Sequence, residues 1–233
     1  MKTTLTVLTL ATLAGSVALG AEITGKITVT GTPPPEKKIT LDAMCGKLAP
    51  AAGLTTRHYV VGPDKGLANV FVYVKEGAKA VAPTGAAPLL DQVGCEYTPY
   101  MLGVQAGQSF NVKNSDTVLH NVHAMPKPGS GNKEKNIGQP VKGMVTPFVF
   151  EKPEVLVKFK CDVHPWMFAY VGVVEHPYFA VTDKDGNYKI SGLPAGDYTV
   201  EVVHLKAGTK TEKVKVGADE KKSQDFTLEA KAQ

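Results

Sequence analysis

The stretch Val155-Leu-Val-Lys-Phe-Lys-Cys161 ends in a short loop, Asp162-Val-His164-Pro-Trp-Met167, and a second apolar run, Ala169–Val174, follows. Side chains alternate across a strand, so Val155, Val157, Phe159 and Cys161 share one face, with Lys158 and Lys160 on the other. Cys161 therefore points inward at a strand end. The rest of the chain has the same character: short β-branched runs broken by Gly, Pro, Asn and Asp, with little helical periodicity after Gly20. Such spacing predicts an all-β protein.

With 233 residues, 43% of them hydrophobic, the chain has material for one large or two small domains. Met1–Gly20 reads as a secretory leader, too short and interrupted for a membrane span, with cleavage expected after Gly20 or Ala21. An exported, periplasmic or secreted protein is expected. The formal charge of +4 comes from 26 basic and 22 acidic residues in mixed runs, which leaves no footprint for nucleic acid. Three cysteines are an odd number for an exported chain. Cys161 lies in a metal-like cluster, whereas Cys45 and Cys95 stand in loop-like sequence. A Cys45–Cys95 disulfide suits an oxidising compartment, two unpaired thiols being the alternative.

Toward the carboxy terminus, Val181-Thr-Asp-Lys-Asp-Gly-Asn-Tyr-Lys-Ile and Gly192-Leu-Pro-Ala-Gly-Asp-Tyr-Thr-Val read as strands joined at Asp185-Gly186 and at Pro194–Gly196. Asp183-x-Asp185 is no calcium loop, because Tyr188 stands at the sixth position and Pro194 at the twelfth. Tyr178–Leu228 resembles the carboxypeptidase regulatory-like (transthyretin-like) β-sandwich, though only its later strands. Its missing early strands resemble Ile23-Thr-Gly-Lys-Ile-Thr-Val and Ala68-Asn-Val-Phe-Val-Tyr-Val. The expected organisation is a leader over 1–21, early sandwich strands over 22–84, a second domain inserted over 85–176, and the remaining sandwich strands over 177–230. Two consecutive domains are the alternative.

The chemistry lies in the loop after Cys161, which offers a thiolate, an imidazole and a thioether within seven residues. Soft sulfur with imidazole selects copper or zinc over hard cations. A second histidine must come from elsewhere, and Asn114-Ser-Asp-Thr-Val-Leu-His120-Asn-Val-His123 follows another strand. His120 and His123 are an odd number apart and face opposite sides of an extended strand, so His123 reads as a non-ligand, an exposed polar residue, with its replacing His120 as the alternative. Structural zinc has no use for Met167. His58, His176 and His204 have no partner cluster nearby in sequence, and surface, linker and strand roles are their default.

The order His…Cys-x2-His-x2-Met, with His-Asn-Val after an Asn-rich strand end, resembles the cupredoxins, particularly amicyanin and plastocyanin. That resemblance implies a Greek-key β-sandwich and one mononuclear type 1 (blue) copper ion held by His120, Cys161, His164 and Met167. It further implies that Asn121 braces the Cys161 loop and donates its backbone N–H to the sulfur. His164 would reach the surface as the electron exit, with Pro165 and Trp166 in a docking patch or else packed between domains. Asp162-Val163 departs from the family's Ser/Thr-Pro pair, and a long loop, Pro126–Asn136, is expected to be mobile and solvated. Electron transfer between redox partners is the expected function. Copper storage or delivery, and a structural sandwich module, are the alternatives. No acid–base pair or nucleophilic triad is visible, so no enzyme is expected.

Overall fold

A computed structural model describes residues 20–231; the leader expectation falls largely on residues outside that range. The chain opens with β1 (Ala21–Thr30) and, after a long excursion containing a single helical turn, α1 (Cys45–Leu48), continues into β2 (Phe71–Glu76). The middle holds β3 (Leu89–Val93), β4 (Glu96–Thr98), β5 (Met101–Gln105), β6 (Phe110–Asn114), β7 (His120–Met125), β8 (Lys135–Gln139), β9 (Val145–Phe148), β10 (Glu154–Lys160) and β11 (Phe168–Val174). The last part holds β12 (Phe179–Val181), β13 (Asn187–Leu193), β14 (Gly196–His204), β15 (Gly208–Val216), β16 (Lys221–Ser223) and β17 (Phe226–Glu229). The expected all-β class is the observed one, with sheets packed face to face as β-sandwiches.

Two of the four sheets mix strands from both ends of the chain. β1 pairs antiparallel with β13 and parallel with β16 and β17, while β2 lies between β12 and β14, with β15 at the edge. Their inward rows meet in one core, Ile23, Ile27 and Val29 against Val72, Val74, Val200 and Val202, closed by Tyr188, Ile190 and Phe226. Each such fully buried aliphatic contributes about 1.5–3 kcal/mol through removal from water. Alternation explains the outer face: on β15, Val214 and Val216 are buried while Lys213 and Lys215 are exposed. The Asp183–Asn187 turn forms as expected, with Asp183 Oδ1 accepting the N–H groups of Asp185 and Asn187. Gly186 has φ 81°, and a Cβ there would stand 2.4 Å from the Ile27 carbonyl oxygen, so the turn presses on β1 and needs glycine.

The other two sheets, β5-β11-β10-β7-β8 and β4-β3-β6-β9, belong to the middle of the chain. Their shared core is aromatic: Phe110, Phe148, Phe150 and Phe159 lie in mutual edge and stacked contact, with Val112, Val157 and Val171 around them. Between the two sandwiches Phe71, Tyr73, Met101, Val174 and Val203 form a third cluster.

Two local expectations are corrected. Val155 leaves the face of Val157, Phe159 and Cys161, because the register shifts between Glu154 and Val157 and Leu156 adopts φ 64°. An irregularity in the strand thus redirects Val155 to the seam between the sandwiches. Nor is Pro126–Asn136 simply a solvated loop. Its end is the start of β8, which pairs with β7 from His120–Gln139 to Ala124–Lys135. Asn132 further ties it down by donating to the Lys152 carbonyl and to Glu154.

Candidate metal centre

His120 opens β7, and Cys161 follows β10, which pairs antiparallel with β7 through Lys160–His123. Adjacent strands therefore bring the two residues to the same end of the sheet. The loop after Cys161 folds back on itself: the Met167 N–H donates to the His164 carbonyl at 2.9 Å, and the Cys161 N–H donates to the Met167 carbonyl at 3.2 Å. His164 is thereby returned over the strand ends. His120 Nδ1 and His164 Nδ1 are 3.0 Å apart, and Cys161 Sγ stands 3.9 Å from the first and 3.6 Å from the second. All three donors lie within 4.8 Å of one another, and each residue is buried: His120 0%, Cys161 1% and His164 5% exposed. Met167, also 0% exposed, packs in the same core cluster as Cys161.

Asn121 holds the loop from β7. Its Oδ1 accepts the N–H of Asp162 at 2.6 Å and of Val163 at 3.4 Å, and its backbone N–H points at Cys161 Sγ at 3.5 Å. Tyr97 adds a second brace, its hydroxyl donating to the carbonyls of Asn121 and Lys160. Trp166 packs its ring 5.3 Å from that of His164 and donates Nε1–H to the Cys95 carbonyl, so it is half-buried scaffolding, while Pro165 is exposed.

His123 faces away from the cluster. Its Nδ1 lies 2.9 Å from Asp162 Oδ2 and its Nε2 2.5 Å from Glu134 Oε1, on the outer side of the sheet. That carboxylate of Asp162 is also held by Asn121 and Asn136, and Lys160 pairs with its other oxygen. The departure Asp162 from the Ser/Thr-Pro pattern is thus part of an outer polar network. His176 and His204 are buried elsewhere: His176 Nε2 meets the Val74 carbonyl at 2.8 Å, and His204 caps the end of β14.

Two residues that sequence reasoning passed over complete the centre. Asp116 lies four residues before His120, and its Oδ2 is 3.0 Å from His120 Nε2. Asp42, from the excursion between β1 and β2, places Oδ2 3.4 Å from His164 Nε2. A carboxylate on the far nitrogen fixes the tautomer and aims the near nitrogen inward, as metal-bound imidazoles generally require. Asp116 was legible only as an acid in a turn, and Asp42 lies far away in sequence. The Cys45–Cys95 disulfide expected from sequence is present, and it ties the segment that carries Asp42 to the β3–β4 turn, whose Gly94 and Cys95 N–H groups donate to Asp116.

The electrostatics follow from these contacts. Burial disfavours the Cys161 thiolate, but hydrogen bonds from His120 and from the backbone N–H groups of Asn121, His164 and Val163 outweigh it and lower the thiol's pKa. Burial likewise opposes a charged His120, yet Asp116 and Cys161 raise its pKa above the ordinary value. For His164 burial prevails, aided by the nearby His120, and its pKa falls. A buried thiol biased to its anion, beside two inward-aimed imidazoles, is a soft donor set. Cys161 is 1% exposed, so the fold shields its sulfur from solvent.

Among solved structures, a methionine-to-alanine mutant of amicyanin in its Cu(I) state matches with 22% identity and a TM-score of 0.32, over 44% of this chain and 97% of that one. A purple cupredoxin from Nitrosopumilus maritimus matches with 29% identity and a TM-score of 0.27, over 33% and 80%. A copper-containing nitrite reductase (NirK) from Thermus scotoductus SA-01 matches with 22% identity and a TM-score of 0.35, over 45% of this chain and 25% of its own, so this chain spans about a quarter of that protein. No curated protein matches. Residues 165–229 match the family model described as carboxypeptidase regulatory-like domain, in agreement with the resemblance read from Tyr178–Leu228.

Proposed function

We propose that this chain is an exported copper protein whose His120, Cys161 and His164, with Met167 as a weak fourth donor, hold one type 1 copper ion and carry single electrons between redox protein partners. One observation supports it above all others: two imidazoles and a thiol converge within 4.8 Å in a buried pocket. When bound there, copper supplies a one-electron couple between Cu(I) and Cu(II). The chain's own residues do the rest. Asn121 and Tyr97 restrain the loop, which limits rearrangement between oxidation states, and the Asn121 N–H directed at the sulfur modulates its electron donation. We propose no catalysed reaction. The division into a leader (1–21), a sandwich from both ends (22–84 and 177–230) and an inserted copper domain (85–176) belongs to the same reading. No helix among the described residues is long and apolar enough to cross a membrane.

One observation favours copper storage or delivery as a second reading. His164 is 5% exposed, covered by Asp42 and Trp166, so no ligand edge stands open for electron exchange. Visible absorption of the copper-loaded protein separates the two. An intense band that disappears in Cys161→Ser, with reversible electrochemistry, supports the carrier. A colourless protein that takes only Cu(I) and yields it to a chelator rejects the carrier and leaves copper handling.

A further inference from the structure

The excursion between β1 and β2 crosses to the middle sandwich and is fastened there. Arg57 donates to the carbonyls of Tyr97 and Phe168 and lies 3.3 Å from Glu96, and the Cys45–Cys95 disulfide ties the excursion to the β3–β4 turn. The two ends of this disulfide have the same surroundings. The Cys45 N–H donates to Asp42 Oδ1 at 2.8 Å, joined there by the Met44 N–H, which leaves Asp42 Oδ2 turned to His164 Nε2. The Cys95 N–H donates to Asp116 Oδ2 at 2.8 Å and the Gly94 N–H to Oδ1 at 2.7 Å, while the same Oδ2 meets His120 Nε2. Each histidine of the pocket therefore rests on one carboxylate, and each carboxylate is oriented by the backbone amide of one half-cystine. Cys45 and Cys95 sulfurs lie within 4.8 Å of His164 and His120 donor atoms respectively.

We propose that Asp42, Asp116 and the Cys45–Cys95 disulfide act as one clamp that positions both histidines, so that the pocket's grip on its metal depends on the disulfide being closed. The proposal rests on the copper reading for its metal, but the clamp is a property of the chain itself. Asp42 and Asp116 are positioning residues: they act through the imidazoles. Reduction of the disulfide by a dithiol transfers two electrons and two protons, giving Cys45 and Cys95 thiols and the dithiol's own disulfide. The excursion is then held near His164 by noncovalent contacts alone, and Asp42 no longer has a fixed station. Loss of a carboxylate that orients a metal-bound histidine lowers metal affinity by about 10- to 100-fold.

The test uses the full exported chain in three forms: wild type, Asp42→Asn, and Cys45→Ser/Cys95→Ser. Asp42 is half-exposed, so Asp42→Asn leaves the core untouched even if loss of the disulfide impairs folding. Copper release to a competing chelator is expected to accelerate about 10-fold or more in both variants. Combined, the substitutions are expected to release no faster than Cys45→Ser/Cys95→Ser alone. The reduction potential of Asp42→Asn is expected to rise, because a weaker imidazole donor stabilises Cu(II) less, and Asp42→Glu is expected to restore it. Full additivity, or wild-type release from a folded Cys45→Ser/Cys95→Ser protein, overturns the clamp. A metal-free readout separates this from failure of the copper reading. Cys161 is the sole thiol in both wild type and Cys45→Ser/Cys95→Ser, and its alkylation by iodoacetamide is expected to quicken when the clamp opens. Faster alkylation in a chain that never binds copper upholds the clamp and rejects the metal; unchanged alkylation rejects the clamp.

Discussion

Asn121 and Cys161 face each other across two strands and interact twice: the Asn121 backbone N–H points at Sγ at 3.5 Å, and its Oδ1 lies 3.3 Å from the same sulfur. The side chain also takes the N–H groups of Asp162 and Val163, so one amide orders the first turn of the loop. Asn121→Ala removes the side-chain acceptor of those part-buried donors, at about 0.5–1.5 kcal/mol. A denaturant titration of the metal-free protein is expected to show that loss, and the copper-loaded variant a shifted visible band.

Gly103 and Gly172 are register partners on β5 and β11, and together they make a bare strip on the middle sandwich. Phe71 and Phe179 of the other sandwich lie on it, so a Cβ at Gly172 would meet the Phe71 ring at 2.5 Å and one at Gly103 the Phe179 ring at 2.4 Å. Gly172→Ala is expected to lower stability by about 1–3 kcal/mol through overpacking. Gly138→Ala, where nothing lies within 4 Å, is the control and is expected to be neutral. Equal denaturation midpoints for the two variants would show that the seam tolerates separation.

The parts of the centre that follow from local alternation were legible in sequence. Phe159 and Cys161 face inward because a strand alternates, and the odd spacing of His120 and His123 sends one to the pocket and the other to Asp162 and Glu134. Val155 was misread because Leu156 takes a left-handed conformation that no periodicity announces. Asp42 and Asp116 were missed for another reason. A carboxylate becomes a partner to an imidazole only once distant segments are assembled, and 122 residues of chain separate Asp42 from His164. The resemblance also placed His164 at the surface, whereas the excursion covers it, and that excursion has no counterpart in the motif that carried the resemblance.

Cys45 and Cys95 are 50 residues apart, and a cross-link of that span restricts the unfolded chain considerably. Loop-closure entropy puts the stabilisation near 4 kcal/mol. Cys45→Ser/Cys95→Ser is therefore expected to unfold at lower denaturant than wild type by about that amount, with wild type in excess dithiol following the same curve. A smaller loss would mean that the folded state also relaxes when the cross-link opens, the excursion leaving its Arg57 contacts.

His204 sets a pH dependence away from the metal centre. It ends β14 in a buried position, its Nδ1 accepts the Ala207 N–H at 3.0 Å, and its ring lies 5.2 Å from that of Tyr59. Burial pushes its pKa down to about 4, with Glu36 pulling the other way and His58 adding to the depression. A protonated Nδ1 could no longer accept that N–H, so the folded protein keeps the ring neutral. The unfolded chain binds this proton near pH 6.5 and the folded chain only near 4, so the contribution is intact above pH 6.5 and is lost as pH falls through that window. The full difference is about 3 kcal/mol at one unit per 1.4 kcal/mol. Other groups titrate over the same range, and the useful quantity is a difference between proteins. His204→Gln starts less stable at pH 7 and is expected to lose less stability between pH 7 and 4 than wild type, by about that amount. Parallel stability curves for the two proteins would mean that His204 is protonated in the fold and that its contact with the Ala207 N–H does not govern its charge.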